Sequence, residues 1–133
     1  MATKRITVHC VEIEDKPGSL QRFLAQTAAA NVDLSCFAVF SAGGGRGKVY
    51  VSAKKPDAFK TFLKSTGIKA TDAAGFIIDG ADKVGAASGA LKGLAAAKIS
   101  GVAGAAMVCN GQYHMLLVVN AADGDAAEKA LKA

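Results

Sequence analysis

The segment Glu14-Asp15-Lys16-Pro17-Gly18-Ser19-Leu20 joins two stretches of different periodicity and decides the fold. Before it, the β-branched run ITVHCVEI (residues 6–13) predicts a strand. After it, bulky side chains recur every three or four residues over 18–30, which predicts an amphipathic helix. Pro17 suits a first helical turn, because its missing N–H is one that a helix leaves unpaired. Gly18 allows a ligand or another backbone to approach closely.

The segment returns 67 residues later as Ala81-Asp82-Lys83-Val84-Gly85-Ala86-Ala87, again between a predicted strand and a predicted helix. Other pairs match at the same spacing or at one residue more, among them Gly18/Gly85, Leu24/Leu91 and Asp57/Asp125. Because turn residues match as well as apolar ones, we interpret the sequence as a duplication. The predicted units are residues 1–72 and 73–133.

Each unit has the predicted order β-α-β-β-α-β, the split βαβ arrangement of ferredoxin-like folds. In the first unit, strands 33–40 and 48–53 flank a glycine-rich hairpin at 43–47, and a helix follows from 56. Residues 68–79 are predicted to be extended, with a break near 73–75. The second unit contains strands 75–79, 100–108 and 112–120 and helices 85–97 and 123–132. Its hairpin signal is Asn110-Gly111.

The predicted fold class is therefore α+β, with two antiparallel sheets and helices on one face of each. The run 115–119 predicts a strand buried on both faces. The second unit lacks its last strand, since the sequence ends at Ala133. We expect the resulting free edge to be covered by another element or another chain.

Composition narrows the protein class. Of 133 residues, 51% are hydrophobic, which argues against wholesale disorder. The net charge of +5 arises entirely in residues 1–67. It indicates either an acidic partner or nucleic acid, or a solvated helix face and hairpin tip, since the charges form no dense block. Three cysteines without metal-type spacing, and no long apolar run, lead us to expect a soluble cytoplasmic protein with no membrane association.

The helix 85–97 carries Gly85, Gly89 and Gly93 at four-residue spacing. Interior glycines cost about 1 kcal/mol each relative to alanine. The stripe predicts either a seam where another backbone packs closely, within the chain or across a dimer, or simple tolerance of small residues.

Enzymatic chemistry has little support in the sequence. His9 and His114 fall in predicted strands without a nucleophile or a metal ligand at a recognisable spacing. Residues 43–48 fail as a phosphate-binding loop, because Ala42 and Val49 stand where glycine and serine or threonine are required. No carboxylate pair is arranged for acid–base work. We predict no cofactor, no metal site and no catalytic residues.

The repeated turn is the better candidate. A helix N-terminus presents free N–H groups and a positive dipole end, which favour a carboxylate. The alternative is an ordinary strand-to-helix turn in which Asp15 and Asp82 cap the helices.

The strand ITVHCVEI, the loop Asp15-Lys16-Pro17-Gly18, the helix start Ser19-Leu20 and Asn31-Val32-Asp33-Leu34 resemble the ACT domain, a small-molecule-sensing module of amino-acid metabolism. The resemblance covers the whole chain as two tandem copies. ACT domains typically pair and bind amino acids at the interface. There the loop after strand one of one unit faces the start of strand two of the other.

The resemblance implies that Asp15 and Asp33 favour the ammonium group of an amino acid, while the helix N-terminus takes its carboxylate. In the second copy Asp82 and Ser100 hold these positions, but Val84 replaces the proline, so one working site per pair is an open alternative. The ligand-binding set implied in this way is Asp15, Lys16, Pro17, Gly18, Ser19, Leu20, Asn31, Val32, Asp33, Asp82, Lys83, Val84, Gly85 and Ser100.

The predicted function is therefore non-enzymatic: a homodimeric sensor that binds a free amino acid and regulates a partner protein. A second hypothesis is a single-stranded RNA-binding module, because residues 46–51 partly match the third strand of an RNA-recognition motif, with Tyr50 as the stacking residue. Lys48 and Ala53 stand where aromatics belong, which argues against RNA. A third hypothesis is a purely structural dimerisation module.

Overall fold

The computed structural model describes residues 2–132, which form six strands, four α-helices and one short 3-10 turn. In chain order the main elements are β1 (Ala2–Glu14), α1 (Ser19–Ala29), β2 (Leu34–Gly43), β3 (Arg46–Ala53), α2 (Pro56–Thr66), β4 (Ala70–Ala81), α3 (Ala86–Ala96), β5 (Gly101–Cys109), β6 (Gln112–Asn120) and α4 (Gly124–Lys132). The predicted α+β class and the βαββαβ order are confirmed.

The chain packs as two compact units. The N-terminal unit is Thr7–Asp72, and the C-terminal unit combines residues 2–6 with residues 73–132. The long strands β1 and β4 each contribute one segment to either unit. The predicted domains, 1–72 and 73–133, stay a prediction, and the compact units differ from them in the place of residues 2–6.

Both units share one strand order. In the N-terminal unit it is β2-β3-β1-β4, and in the C-terminal unit it is β5-β6-β4-β1. The pairs β1–β3, β2–β3, β4–β6 and β5–β6 are all antiparallel. No strand follows α4 within the described residues. The edge of β4 that this leaves open is covered by residues 2–6 of β1.

The prediction that the first strand begins at Ile6 was wrong, since β1 begins at Ala2. Residues 3–5 are polar, so they lack the apolar alternation that marked residues 6–13. Arg5 instead holds this segment to α4, donating hydrogen bonds to Asp125 (2.7 Å) and Glu128 (3.0 Å). The break predicted near residues 73–75 is also absent, because β4 runs without interruption from Ala70 to Ala81.

In the N-terminal unit, alternate residues of the sheet pack against both helices. Val11, Val49 and Val51 are at most 1% exposed and form a core with Phe23 of α1 and Phe59 of α2. Because these residues lie on one face of the sheet, both helices cover that face, as predicted.

The C-terminal unit repeats the arrangement with smaller helical side chains. Phe76 and Ile78 of β4 are fully buried against Leu94 of α3 and Ala127 of α4. Residues 115–119 of β6 are all at most 9% exposed. The prediction that this strand is buried on both faces is confirmed.

Both predicted hairpin turns form. Gly44 and Gly45 have φ of 63° and 74°, and Asn110 and Gly111 have φ of 52° and 75°. Two successive residues at positive φ give the turn whose twist matches that of antiparallel strands. These turns set the β2–β3 and β5–β6 registers.

The glycine stripe of α3 has three different roles. Gly85 is the N-cap, in left-handed geometry. Gly93 is a packing seam within the chain, because a Cβ there would overlap the carbonyl oxygen of Ala130 in α4. Gly89 faces open space. The predicted close packing is therefore confirmed at Gly93 alone.

No helix within residues 2–132 is long and apolar enough to cross a membrane.

Candidate functional site

The turn before α1 begins with hydrogen bonds that fix its backbone. The amide of Asp15 donates to Gly45 O (2.9 Å), and the amide of Ser19 donates to Lys16 O (3.2 Å). Gly18, with φ of 89°, is the N-cap. Pro17 therefore precedes the helix instead of lying in its first turn, because helical geometry cannot begin until after the left-handed Gly18.

The same bonds recur before α3. Asp82 N donates to Gly111 O (3.0 Å), Ala86 N donates to Lys83 O (3.0 Å), and the N-cap Gly85 has φ of 82°. Val84, at the position of Pro17, is fully exposed. The sequence repeat is therefore also a repeat of hydrogen-bonded turn geometry.

Neither helix start is capped by a side chain. Among the described residues, the amides of Leu20 and Gln21 in α1, and of Ala87 and Ser88 in α3, have no hydrogen-bond acceptor. These are the N–H groups that a helix leaves free unless a cap or a ligand takes them. The positive end of each helix thus remains available to an anion.

The other two helices differ. Asp57 lies in the first turn of α2 and Asp125 in that of α4, whereas α1 and α3 have no acidic residue there. A carboxylate in the first turn compensates the helix dipole. Only the two repeated helix starts therefore retain an uncompensated positive end among the described helices.

Asp15 does not cap α1. Its Oδ2 accepts a 2.6 Å hydrogen bond from the hydroxyl of Ser41, near the end of β2. Asp82 is exposed and makes no side-chain hydrogen bond within residues 2–132. The helix-capping interpretation of these aspartates is wrong, since no side chain caps α1 or α3.

Lysine residues form ion pairs with Asp33 of the candidate set and with Glu14, which precedes that set. Lys16 Nζ lies 2.7 Å from Glu14 Oε2, and this contact holds the pKa of Glu14 below its ordinary value. Lys54 Nζ lies 3.0 Å from Asp33 Oδ2, with both side chains largely exposed. Ion pairs this exposed contribute little to stability, so Asp33 can exchange its partner.

The start of strand two lies far from the turn within one unit. Asn31, at φ of 58°, ends the helical segment, and Val32 is buried in the core. Asp33 precedes β2, whereas Asp15 contacts Ser41 near its other end. Asp33 and Ser41 are eight positions apart along the chain, which in a strand is about 26 Å. The structure does not bring Asp15 and Asp33 together within the N-terminal unit.

Leu20, Lys83 and Ser100 complete the predicted ligand-binding set. Leu20 is partly buried against the core, and Lys83 is exposed. Ser100 is exposed just before β5. It therefore occupies in the C-terminal unit the place that Asp33 occupies before β2, at the opposite end of the strand from Asp82.

The sequence did not predict that the side chains of His114 and Asp79 form a pair. His114 Nδ1 and Asp79 Oδ1 lie 2.7 Å apart and are opposite each other on β6 and β4. His9, by contrast, is 3% exposed, packs 5.0 Å from the ring of Phe59 and has a pKa lowered chiefly by burial. Strand pairing between distant segments creates such contacts, and no local sequence signal announces them.

The residue proposed for RNA stacking, Tyr50, is buried, and so is His9. Tyr50 is 9% exposed, and its ring lies 5.7 Å from that of Phe40. A base needs an open aromatic face on the sheet, and neither Tyr50 nor the buried His9 offers one.

No protein-family sequence model matches the chain, and no curated protein sequence does. Solved structures do match. Protein BT0572 from Bacteroides thetaiotaomicron superposes with a TM-score of 0.78 at 18% identity, over 98% of this chain and 88% of that one. The ligand-free regulatory subunit of aspartate kinase from Thermus thermophilus superposes with a TM-score of 0.65 at 15% identity, over 98% and 93% of the chains.

This chain has an ACT-like fold. The match extends to aspartate kinase from Clostridium acetobutylicum, with a TM-score of 0.63 at 13% identity. The match covers 98% of this chain but only 33% of the kinase.

Proposed function

We propose that this chain is a non-enzymatic tandem ACT protein that binds a free amino acid and regulates a partner protein. The observation that carries the proposal is the repeated helix start, with a left-handed glycine, no side-chain cap and two free amides in each copy. An amino-acid carboxylate supplies the acceptor that these amides lack, and its negative charge suits the helix dipole.

The positions of Asp15 and Asp33 support a shared site. Both carboxylates are exposed, and in the ACT arrangement they face the ammonium group of the ligand. Within one unit Asp15 and Asp33 lie at opposite ends of β2. A single ligand can therefore contact the Asp15 position of one unit only together with the Asp33 position of a second unit. A homodimer of this chain supplies such a unit, which is why we include dimerisation in the proposal.

The fold supports a regulatory output. The similar chain from Thermus thermophilus is named a regulatory subunit, and the similar kinase from Clostridium acetobutylicum is described as an allosteric enzyme. By analogy, the partner here is a catalytic protein. For the ligand to act as a signal, it must bind two states of the complex with different affinity.

Isothermal titration calorimetry of the whole chain against each of the twenty amino acids tests the proposal. We expect at least one to bind, with affinity lost in Asp15→Ala and in Asp33→Ala. Asp57→Ala is the matched control, because Asp57 is an exposed acid at the start of α2 and outside the site. Absence of binding by all twenty would contradict the proposal and leave the structural dimerisation module as the better hypothesis.

A further inference from the structure

Ser19 is a buried hydroxyl without a partner. It is the first residue of α1 and is 6% exposed. Among the described residues, its Oγ makes no hydrogen bond. A buried hydroxyl left unpaired lowers stability, because it has lost its hydrogen bonds to water. The free energy is recovered if a ligand accepts the hydrogen bond.

Ser19 lines a cavity of about 200 Å³ in the N-terminal unit. The cavity lies against β1, α1 and the residue Ile68 that precedes β4. Pockets for drug-sized ligands are larger, roughly 300–1,000 Å³. A space of this size fits a molecule no larger than a single amino acid.

The lining of the cavity divides by chemistry. Val11, Phe23 and Ile68 provide apolar surface. Arg22 brings one positive charge, and Glu12 and Glu14 bring two negative ones. An apolar wall beside charges of both signs matches a zwitterion with an apolar side chain.

The ligand carboxylate has several donors at this end of the helix. Ser19 and Arg22 line the cavity, and the free amides of Leu20 and Gln21 belong to the same turn. Hydrogen bonds between a charged acceptor and such donors are about twice as strong as neutral ones.

The corresponding helix of the C-terminal unit lacks these side chains. Sixty-seven residues beyond Ser19, Arg22 and Gln26 stand Ala86, Gly89 and Gly93. The hydroxyl, the guanidinium and the side-chain amide are therefore absent from these three equivalent positions of α3. The free backbone amides alone remain there.

We propose that the α1 cavity of the N-terminal unit binds an α-amino acid with an apolar side chain, with its carboxylate on Ser19 and Arg22, and that the C-terminal unit has no equivalent site. This inference rests on the proposed function and specifies which unit works and which ligand class it takes. The C-terminal unit then supports the structure of the protein but binds no second ligand.

The test is calorimetry of the whole chain with valine, leucine, phenylalanine, aspartate and lysine as probes. We expect the apolar three to bind with one ligand per chain. Arg22→Gln should weaken binding by about tenfold or more, and Ser19→Ala by several-fold, as expected for lost hydrogen bonds to a charged group. Lys92→Gln and Ser88→Ala on α3 are matched controls that should bind as the wild type does. Circular dichroism verifies that each variant is folded.

The outcomes separate the two proposals. Binding that is unaffected by Ser19→Ala and Arg22→Gln, a preference for aspartate or lysine, or two ligands per chain would overturn the cavity assignment while leaving amino-acid sensing intact. No binding by any amino acid would overturn both. Backbone amide chemical shifts give an independent readout, because ligand should move the resonances of residues 19–26 and not those of residues 86–93.

Discussion

The hydroxyl of Ser41 donates a 2.6 Å hydrogen bond to the carboxylate of Asp15. This contact ties the end of β2 to the turn before α1 and keeps the carboxylate away from the helix amides. Asp15 thus leaves the positive end of α1 open, although its place before a helix is typical of a capping residue.

Asp15→Ala is expected to change binding more than stability. Removing a true helix cap costs about 1 kcal/mol, whereas loss of an exposed side-chain hydrogen bond should change the free energy of unfolding by less than about 0.5 kcal/mol. Urea denaturation measures this change, and circular dichroism should detect no loss of helix. A destabilisation of the size expected for a lost cap would contradict the observed Asp15–Ser41 pairing.

Gly93→Ala and Gly89→Ala should have opposite effects. A Cβ on Gly93 meets the backbone of Ala130, which cannot move without shifting α4, so we expect destabilisation by about 1–3 kcal/mol. Gly89 faces open space in the same helix, and alanine there should stabilise the protein by up to about 1 kcal/mol. Chemical denaturation of both variants provides the comparison. Equal effects would show that helix propensity alone governs the stripe.

His9 should make stability depend on pH. Burial lowers its pKa in the folded protein below the ordinary 6.5. Below pH 6.5 the unfolded chain therefore binds the proton more readily, and the free energy of unfolding falls as the pH falls through this range. One group contributes a slope of at most about 1.4 kcal/mol per pH unit.

Unfolding measured between pH 7.5 and 5 tests this dependence. His9→Phe should remove the histidine's contribution to the slope, while His114→Gln, which changes an exposed residue, should retain it. Identical pH profiles for the wild type and His9→Phe would contradict the prediction.

Lys98 is held in an unfavourable backbone conformation. Its φ is 58°, equal to that of Asn31 at the end of α1, and lysine tolerates this left-handed geometry less well than asparagine or glycine. We expect Lys98→Gly to raise the free energy of unfolding by about 0.5–1 kcal/mol, offset in part by the greater freedom of the unfolded chain. Thermal denaturation measures the effect. Lys92→Gly, inside α3, is the control and should destabilise the protein.

The elements that the sequence predicted well are those with local signals. The hairpins are predicted by Asn110-Gly111 and by the glycines at 43–45, because these turns need positive φ. The apolar run at 115–119 predicts a buried strand. Residues 2–5 carried no such signal, since their strand depends on β4 and on the ion pairs of Arg5 with α4. The same holds for the His114–Asp79 pair, which distant strands bring together.

In the candidate site, too, only the features with a local sequence signal were predictable. The repeated Asp-Lys-x-Gly turn and its free amides were predictable from two copies of one local pattern. The Ser41 partner of Asp15 and the cavity beside Ser19 were not, because each depends on tertiary packing between segments that are separated in sequence. The turns of this chain can therefore be predicted from its sequence, whereas the shape of its cavity cannot.

The division of β1 has a consequence for how the chain folds. Residues 2–6 must wait until the entire Thr7–Asp72 unit and β4 have been synthesised before they reach their place beside residues 73–81. A cut between residues 72 and 73 would therefore strip an edge strand from the later unit instead of releasing a finished domain. Contacts of such long sequence separation slow folding, so we expect closure of the C-terminal unit to be the last step in maturation.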